Sequence, residues 1–78
     1  MNKATLIALD IIERRERAGQ MPECATWVEI YRGVQPYGID AERMQRELND
    51  GIKEGYLVRL RGVNGDMYLR GNGSKSTI

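Results

Sequence analysis

Gly55-Tyr56-Leu57-Val58-Arg59-Leu60-Arg61-Gly62-Val63-Asn64-Gly65-Asp66-Met67-Tyr68-Leu69-Arg70 is the stretch on which the fold of this chain turns. Apolar and basic residues alternate from Leu57 to Arg61, as in a strand with one buried face. Asn64-Gly65 is the dipeptide favoured in a type I′ hairpin turn, because both central positions need positive φ. A two-residue turn there pairs Val63 with Asp66, Gly62 with Met67, Arg61 with Tyr68, Leu60 with Leu69 and Arg59 with Arg70. Val58, Leu60, Met67 and Leu69 then face the protein body. Arg59, Arg61, Tyr68 and Arg70 face away from it.

Working back from the hairpin, Gly55 suits the end of a helix, and Ala41 to Glu54 carries a helical pattern for which Asp40 is a suitable N-cap. Ala41, Met44, Leu48 and Ile52 form its inward stripe, and Glu42, Arg43, Arg46, Asp50 and Lys53 lie outward. The i,i+4 spacing allows ion pairs between Glu42 and Arg46, Arg43 and Glu47, and Arg46 and Asp50. Val34 to Ile39, with Pro36 and Gly38, is a turn-rich link. Ahead of it, Thr26 and Glu29 have the spacing of a capping box, opening a short helix from Trp27 to about Gly33 whose Trp27, Ile30, Tyr31 and Val34 share a face. Gln20 to Ala25 reads as a connector. A first helix spans Lys3 to Ala18, with Ala4, Ile7, Ala8, Ile11 and Ala18 on one stripe, Ile12 beside it and Gly19 as its stop. Leu6 and Leu9 fall off that stripe and are candidates for contact with another element or subunit. The expected division is one domain over residues 1–71 and a C-terminal tail over 72–78.

Composition narrows the classes of function. The chain has 78 residues, 41% hydrophobic and 29% charged, which suits one soluble domain with a small core. No apolar run approaches the roughly 20 residues of a membrane span, and Asp10 interrupts the only N-terminal run that resembles a leader, so a cytoplasmic, unprocessed protein is expected. One cysteine, Cys24, leaves no internal disulfide, and with no histidine the common zinc sets cannot be built from one chain. Histidine is also the usual base for a serine or cysteine nucleophile, and no phosphate-loop glycine spacing occurs. Neither a catalytic centre nor a metal, cofactor or small-molecule ligand is therefore expected. The net charge of +1 falls short of the basic excess typical of nucleic-acid binders.

The run Leu48-Asn49-Asp50-Gly51-Ile52-Lys53-Glu54-Gly55-Tyr56-Leu57-Val58-Arg59-Leu60-Arg61 resembles the end of the recognition helix and the first wing strand of winged helix-turn-helix regulators, and Tyr68-Leu69 resembles their returning strand. The resemblance extends over roughly residues 26 to 70 and implies an α+β fold of three helices with a C-terminal two-stranded β-hairpin wing. By that likeness the chain is expected to be a small DNA-binding protein, a bacterial or phage-type transcriptional regulator acting on double-stranded DNA as a homodimer. The third helix would enter the major groove. Arg43, Gln45, Arg46 and Lys53 on that helix, with Arg59, Arg61, Tyr68 and Arg70 on the hairpin, are the candidate DNA contacts, since arginine forks match phosphate oxygens and both arginine and glutamine can read base edges. The alternative is a non-catalytic protein-interaction module on the same scaffold.

Overall fold

The computed structural model describes residues 1–63 and 65–71; the tail expected over 72–78 lies outside them. The described chain is α+β. Helices α1 (Lys3–Ala18), α2 (Trp27–Val34) and α3 (Ala41–Lys53) pack beside an antiparallel sheet of β1 (Ala25–Thr26), β2 (Leu57–Gly62) and β3 (Gly65–Arg70), ordered β1-β3-β2.

The helix boundaries follow from side chains that satisfy the free N–H groups of each first turn. Asn2 Oδ1 accepts from the Thr5 N–H at 2.9 Å, and Asp40 Oδ1 accepts from the Arg43 N–H at 2.8 Å. Thr26 and Glu29 complete the expected capping box, with bonds of 3.0 and 3.2 Å. Gly19, at φ 69°, ends α1 in the left-handed conformation. A short 3₁₀ turn over Gln35–Tyr37 occupies the link before α3.

The core joins Ala4, Ala8 and Ile12 of α1, Ile30 and Val34 of α2, Met44 and Leu48 of α3, and Leu57 and Tyr68 of the hairpin. On α1 the buried stripe is rotated from the expected one: Thr5 is fully buried and Ala18 is exposed. The cause is a close approach of α1 to α3. A Cβ placed on Gly51 would stand 2.4 Å from Thr5 Oγ1 and 3.3 Å from Leu57 Cδ1, so only glycine fits there. Glu47 ties the same contact from the α3 side. Its carboxylate accepts from the Ala4 N–H at 2.9 Å, and its backbone carbonyl accepts from Asn2 Nδ2 at 2.8 Å and Thr5 Oγ1 at 3.2 Å. An acidic group of one helix thus caps the positive end of another. Leu9 packs against the core, whereas Leu6 is about half exposed.

The hairpin departs from expectation in three respects. Gly62 pairs with Gly65, Arg61 with Asp66, Leu60 with Met67, Arg59 with Tyr68, Val58 with Leu69 and Leu57 with Arg70, so the register is displaced from the expected one. Gly65 belongs to β3, and Asn64 lies outside the described residues. A third strand, β1, pairs Ala25 with Tyr68 and Thr26 with Met67, in a segment expected to be a connector. The two faces separate into the expected sets but point the opposite way. Leu57 and Tyr68 are fully buried, while Val58 and Leu60 are 46% and 47% exposed.

Replacing Gly51 by alanine inserts a methyl group where no space exists. Gly51→Ala is expected to destabilise the fold by about 1–3 kcal/mol, as overpacking does, despite alanine's better helix propensity. Urea unfolding measures it, and an unchanged midpoint would show that α1 and α3 are not so closely packed.

Candidate nucleic-acid interface

The candidate contacts on α3 and the hairpin fall into two groups, according to whether the fold itself already uses them. Tyr68 is the largest fully buried side chain, and its hydroxyl requires a partner. Gln45 Nε2 donates to that hydroxyl at 3.3 Å and also to Asn49 Oδ1 at 3.3 Å, while Gln45 Oε1 accepts from Trp27 Nε1 at 3.0 Å. Both polar atoms of Gln45 are committed, and Tyr68 is not on the surface. Tyr68 therefore does not present the surface expected from the sequence, and Gln45 spends its amide within the protein.

Arg43 and Arg70 are also engaged. Arg43 Nε donates to Glu47 Oε2 at 2.9 Å, the only one of the three expected α3 ion pairs that forms among the described residues. Arg70 grips Glu16 of α1 with two bonds, at 2.8 and 3.2 Å. It stands opposite Leu57 rather than Arg59, so the expected like-charge pair across the hairpin does not exist. The hydrogen bond from Arg70 holds the Glu16 carboxyl below its ordinary range, and the same contact raises the arginine.

Arg46, Lys53, Arg59 and Arg61 remain. All four are exposed, and none has a carboxylate within ion-pair distance among the described residues. The hairpin register brings two of them to α3. Directly paired residues of antiparallel strands project to the same face, so Arg59 lies on the face of Tyr68, whose hydroxyl touches α3. Arg61, two residues on, shares that face. On α3, at 100° per residue, Gln45, Asn49, Glu42, Lys53 and Arg46 fall in one arc of about 100°, and Gln45 marks its edge nearest the sheet. The four cations therefore border one surface formed by the outer side of α3 and the adjoining side of the hairpin. Glu42 and Asp66 share it, leaving an excess of two positive charges.

Elsewhere the charged groups are mostly spent on one another. Arg14 pairs with Asp10 at 2.7 Å, and Arg17 with Glu13 at 3.4 Å, across successive turns of α1. Arg15 holds both carboxylate oxygens of Glu29 and the Cys24 carbonyl. Burial pushes the Glu29 carboxyl up, but hydrogen bonds from the Thr26 backbone N–H and from Arg15 outweigh it and leave the group lowered. These two pairs, Arg14 with Asp10 and Arg15 with Glu29, line a groove of about 530 Å³ between α1 and α2. Trp27 and Tyr31 stack on each other at 5.2 Å between ring centroids and pack against the core, so they form no open platform for bases.

Among the described residues no group of three or more histidine, cysteine, aspartate or glutamate side chains could hold a metal ion, and no helix is long and apolar enough to cross a membrane. No protein-family model, curated protein or solved structure matches the chain.

The Glu16–Arg70 pair has a readable pH signature. A carboxyl whose folded pKa is depressed stabilises the fold above its unfolded value, near 4.5, and that contribution is lost as the pH falls below it. Glu16→Gln is therefore expected to be less stable than the parent at neutral pH, with the gap closing below about pH 4.5. Urea midpoints across this range test it. A gap that persists in acid would assign the loss to something other than the ion pair.

Proposed function

We propose that the chain is a small winged-helix DNA-binding protein, with α3 directed toward the major groove and the β2–β3 hairpin serving as the wing on the phosphate backbone. The observation that carries this reading is the sorting of the cations. Arg14, Arg15, Arg17, Arg43 and Arg70 each pair with a carboxylate of the chain, and of the six that stand without one among the described residues, four, Arg46, Lys53, Arg59 and Arg61, border one surface, while Lys3 lies over the Tyr37 ring and Arg32 in the groove between α1 and α2. Guanidinium groups held on a strand and not gripped by a carboxylate suit phosphate oxygens, although Asp66 stands across from Arg61, and neutralising phosphates releases counterions. The α3 flank supplies two further cations and exposed polar side chains of a kind that can reach base edges. A positive excess of two gives one copy weak affinity, and binding as a homodimer to two half-sites supplies the rest. The chemistry asked of it is binding alone, as in a transcriptional regulator.

A second reading is favoured by the opposite side of the sheet. Val58 and Leu60 are exposed there, with Met67 and Leu69 half-buried beside them, so the outer face of the hairpin is apolar. An uncovered apolar face is the usual mark of protein contact, and on this reading the chain is an interaction module.

The two readings separate in a salt titration against mixed duplex DNA. The double variant Arg59→Ala, Arg61→Ala is expected to lower the slope of log affinity against log salt by about two. Arg70→Ala, whose guanidinium is held by Glu16, is expected to leave the slope in place. If the double variant binds with parental affinity and slope, the wing does not contact the backbone.

A further inference from the structure

We infer that Asn49 reads bases from the α3 surface and selects guanine over adenine, because the hydrogen-bond chain from Trp27 through Gln45 turns its amide nitrogen outward. This rests on the DNA-binding reading above and adds to it the chemistry of the contacted base.

Donor and acceptor polarity runs through three side chains, Trp27, Gln45 and Asn49. An indole N–H can only donate, so Gln45 must present Oε1 to Trp27, at 3.0 Å. The Gln45 NH₂ is thereby turned the other way, toward the Tyr68 hydroxyl and toward Asn49, and reaches Asn49 Oδ1 at 3.3 Å. A donor can be met only by an acceptor, so Asn49 must turn its carbonyl oxygen to Gln45. Its NH₂ is then turned away from Gln45. A free asparagine can rotate its amide to suit either edge; this one is oriented through Gln45, four residues earlier on α3, by a tryptophan on α2.

Asn49 sits between the unpaired cations of the same helix face. Arg46 is three residues before it and Lys53 four after, spacings that place all three side by side along α3. In the major groove, asparagine ordinarily pairs with adenine by donating to N7 and accepting from N6. With one lone pair of Oδ1 taken by Gln45 and the oxygen turned to that side, the donor half of the pairing is the half offered most freely outward. Adenine would then set its N6 hydrogens against the amide hydrogens of Asn49. Guanine presents two acceptors, N7 and O6, to the same donor. The neighbouring Arg46 adds a second donor of the same preference.

Selection from a randomised duplex library at low salt, followed by titration of the enriched duplex and its single-base variants, tests this. The parent is expected to enrich a guanine position at which adenine weakens binding by about tenfold, and replacing that base by 7-deazaguanine, which lacks the N7 acceptor, is expected to weaken it similarly. Asn49→Ala, at an exposed site, is expected to bring the guanine duplex down to the adenine level. Trp27→Phe removes the donor that orients Gln45 and is expected to bring the two affinities together. A merely structural role for Trp27 would weaken both duplexes alike and preserve their ratio. Enrichment of adenine at the Asn49-dependent position, or the absence of any such position in a protein that binds DNA, overturns the inference and leaves DNA binding standing. Failure to retain any duplex at low salt overturns the DNA-binding reading, and the inference with it.

Discussion

A buried phenol with one available partner organises this molecule. Tyr68 lies in the middle strand, between β1 and β2, where its ring is sealed from water and its hydroxyl must be met from inside the protein. Gln45 meets it, and Trp27 fixes which end of Gln45 does so. One amide thereby joins α2, α3 and the sheet. Parity along the strands does the rest. Once Tyr68 points inward, its cross-strand neighbour Arg59 and the next residue of that face, Arg61, are set on the side of α3, and the aliphatic side chains between them are set on the outer face. The placement of two cations thus follows from the burial of a tyrosine.

That dependence explains which features were legible from residues alone. The helices were, because their caps are local: Asp40, Thr26 with Glu29, and Gly19 each act within one turn of themselves. The hairpin was legible too, and so was its division into two faces. The orientation of those faces was not. Val58, Leu60, Met67 and Leu69 outnumber Leu57 and Tyr68 as aliphatic residues, and a count of apolar side chains assigns them to the core. Tyrosine is amphipathic, so its place is decided by whether a partner for its hydroxyl exists within the fold, and Gln45 is 23 residues away. A two-residue strand such as β1 has no periodicity to detect. The register differed because a dipeptide preference marks a turn's composition, while pairing here closes on two glycines, Gly62 with Gly65.

The candidate site was legible in half. Arg46, Lys53, Arg59 and Arg61 are exposed and unpaired among the described residues, whereas Arg43, Gln45, Tyr68 and Arg70 bond within the fold. Nothing local distinguishes the groups. Arg70 finds Glu16 across 54 residues, and the Glu47 that takes Arg43 is also the carboxylate that caps α1. A residue type suited to DNA is equally suited to holding a small domain together, and only the tertiary partner decides between them. An asparagine on a solvent-facing helix, such as Asn49, carries no signal in sequence, because its orientation is fixed only by its neighbour.

Near-neutral total charge is consistent with this division of labour. A phosphate backbone responds to the charges nearest to it, since at about 0.15 M salt the field of an exposed charge decays over roughly 8 Å. The five ion pairs of α1, α2, α3 and the sheet neutralise themselves in place and contribute little beyond that distance. What an approaching duplex would meet is the local excess on α3 and the hairpin, which is small. Small electrostatic attraction lowers affinity for every sequence alike, and on the proposed reading it would make the oriented donor at Asn49 a larger share of what remains. In a domain of this size, whose core leaves few side chains to spare, holding one amide in a single orientation would, on the proposed reading, give sequence preference without additional surface.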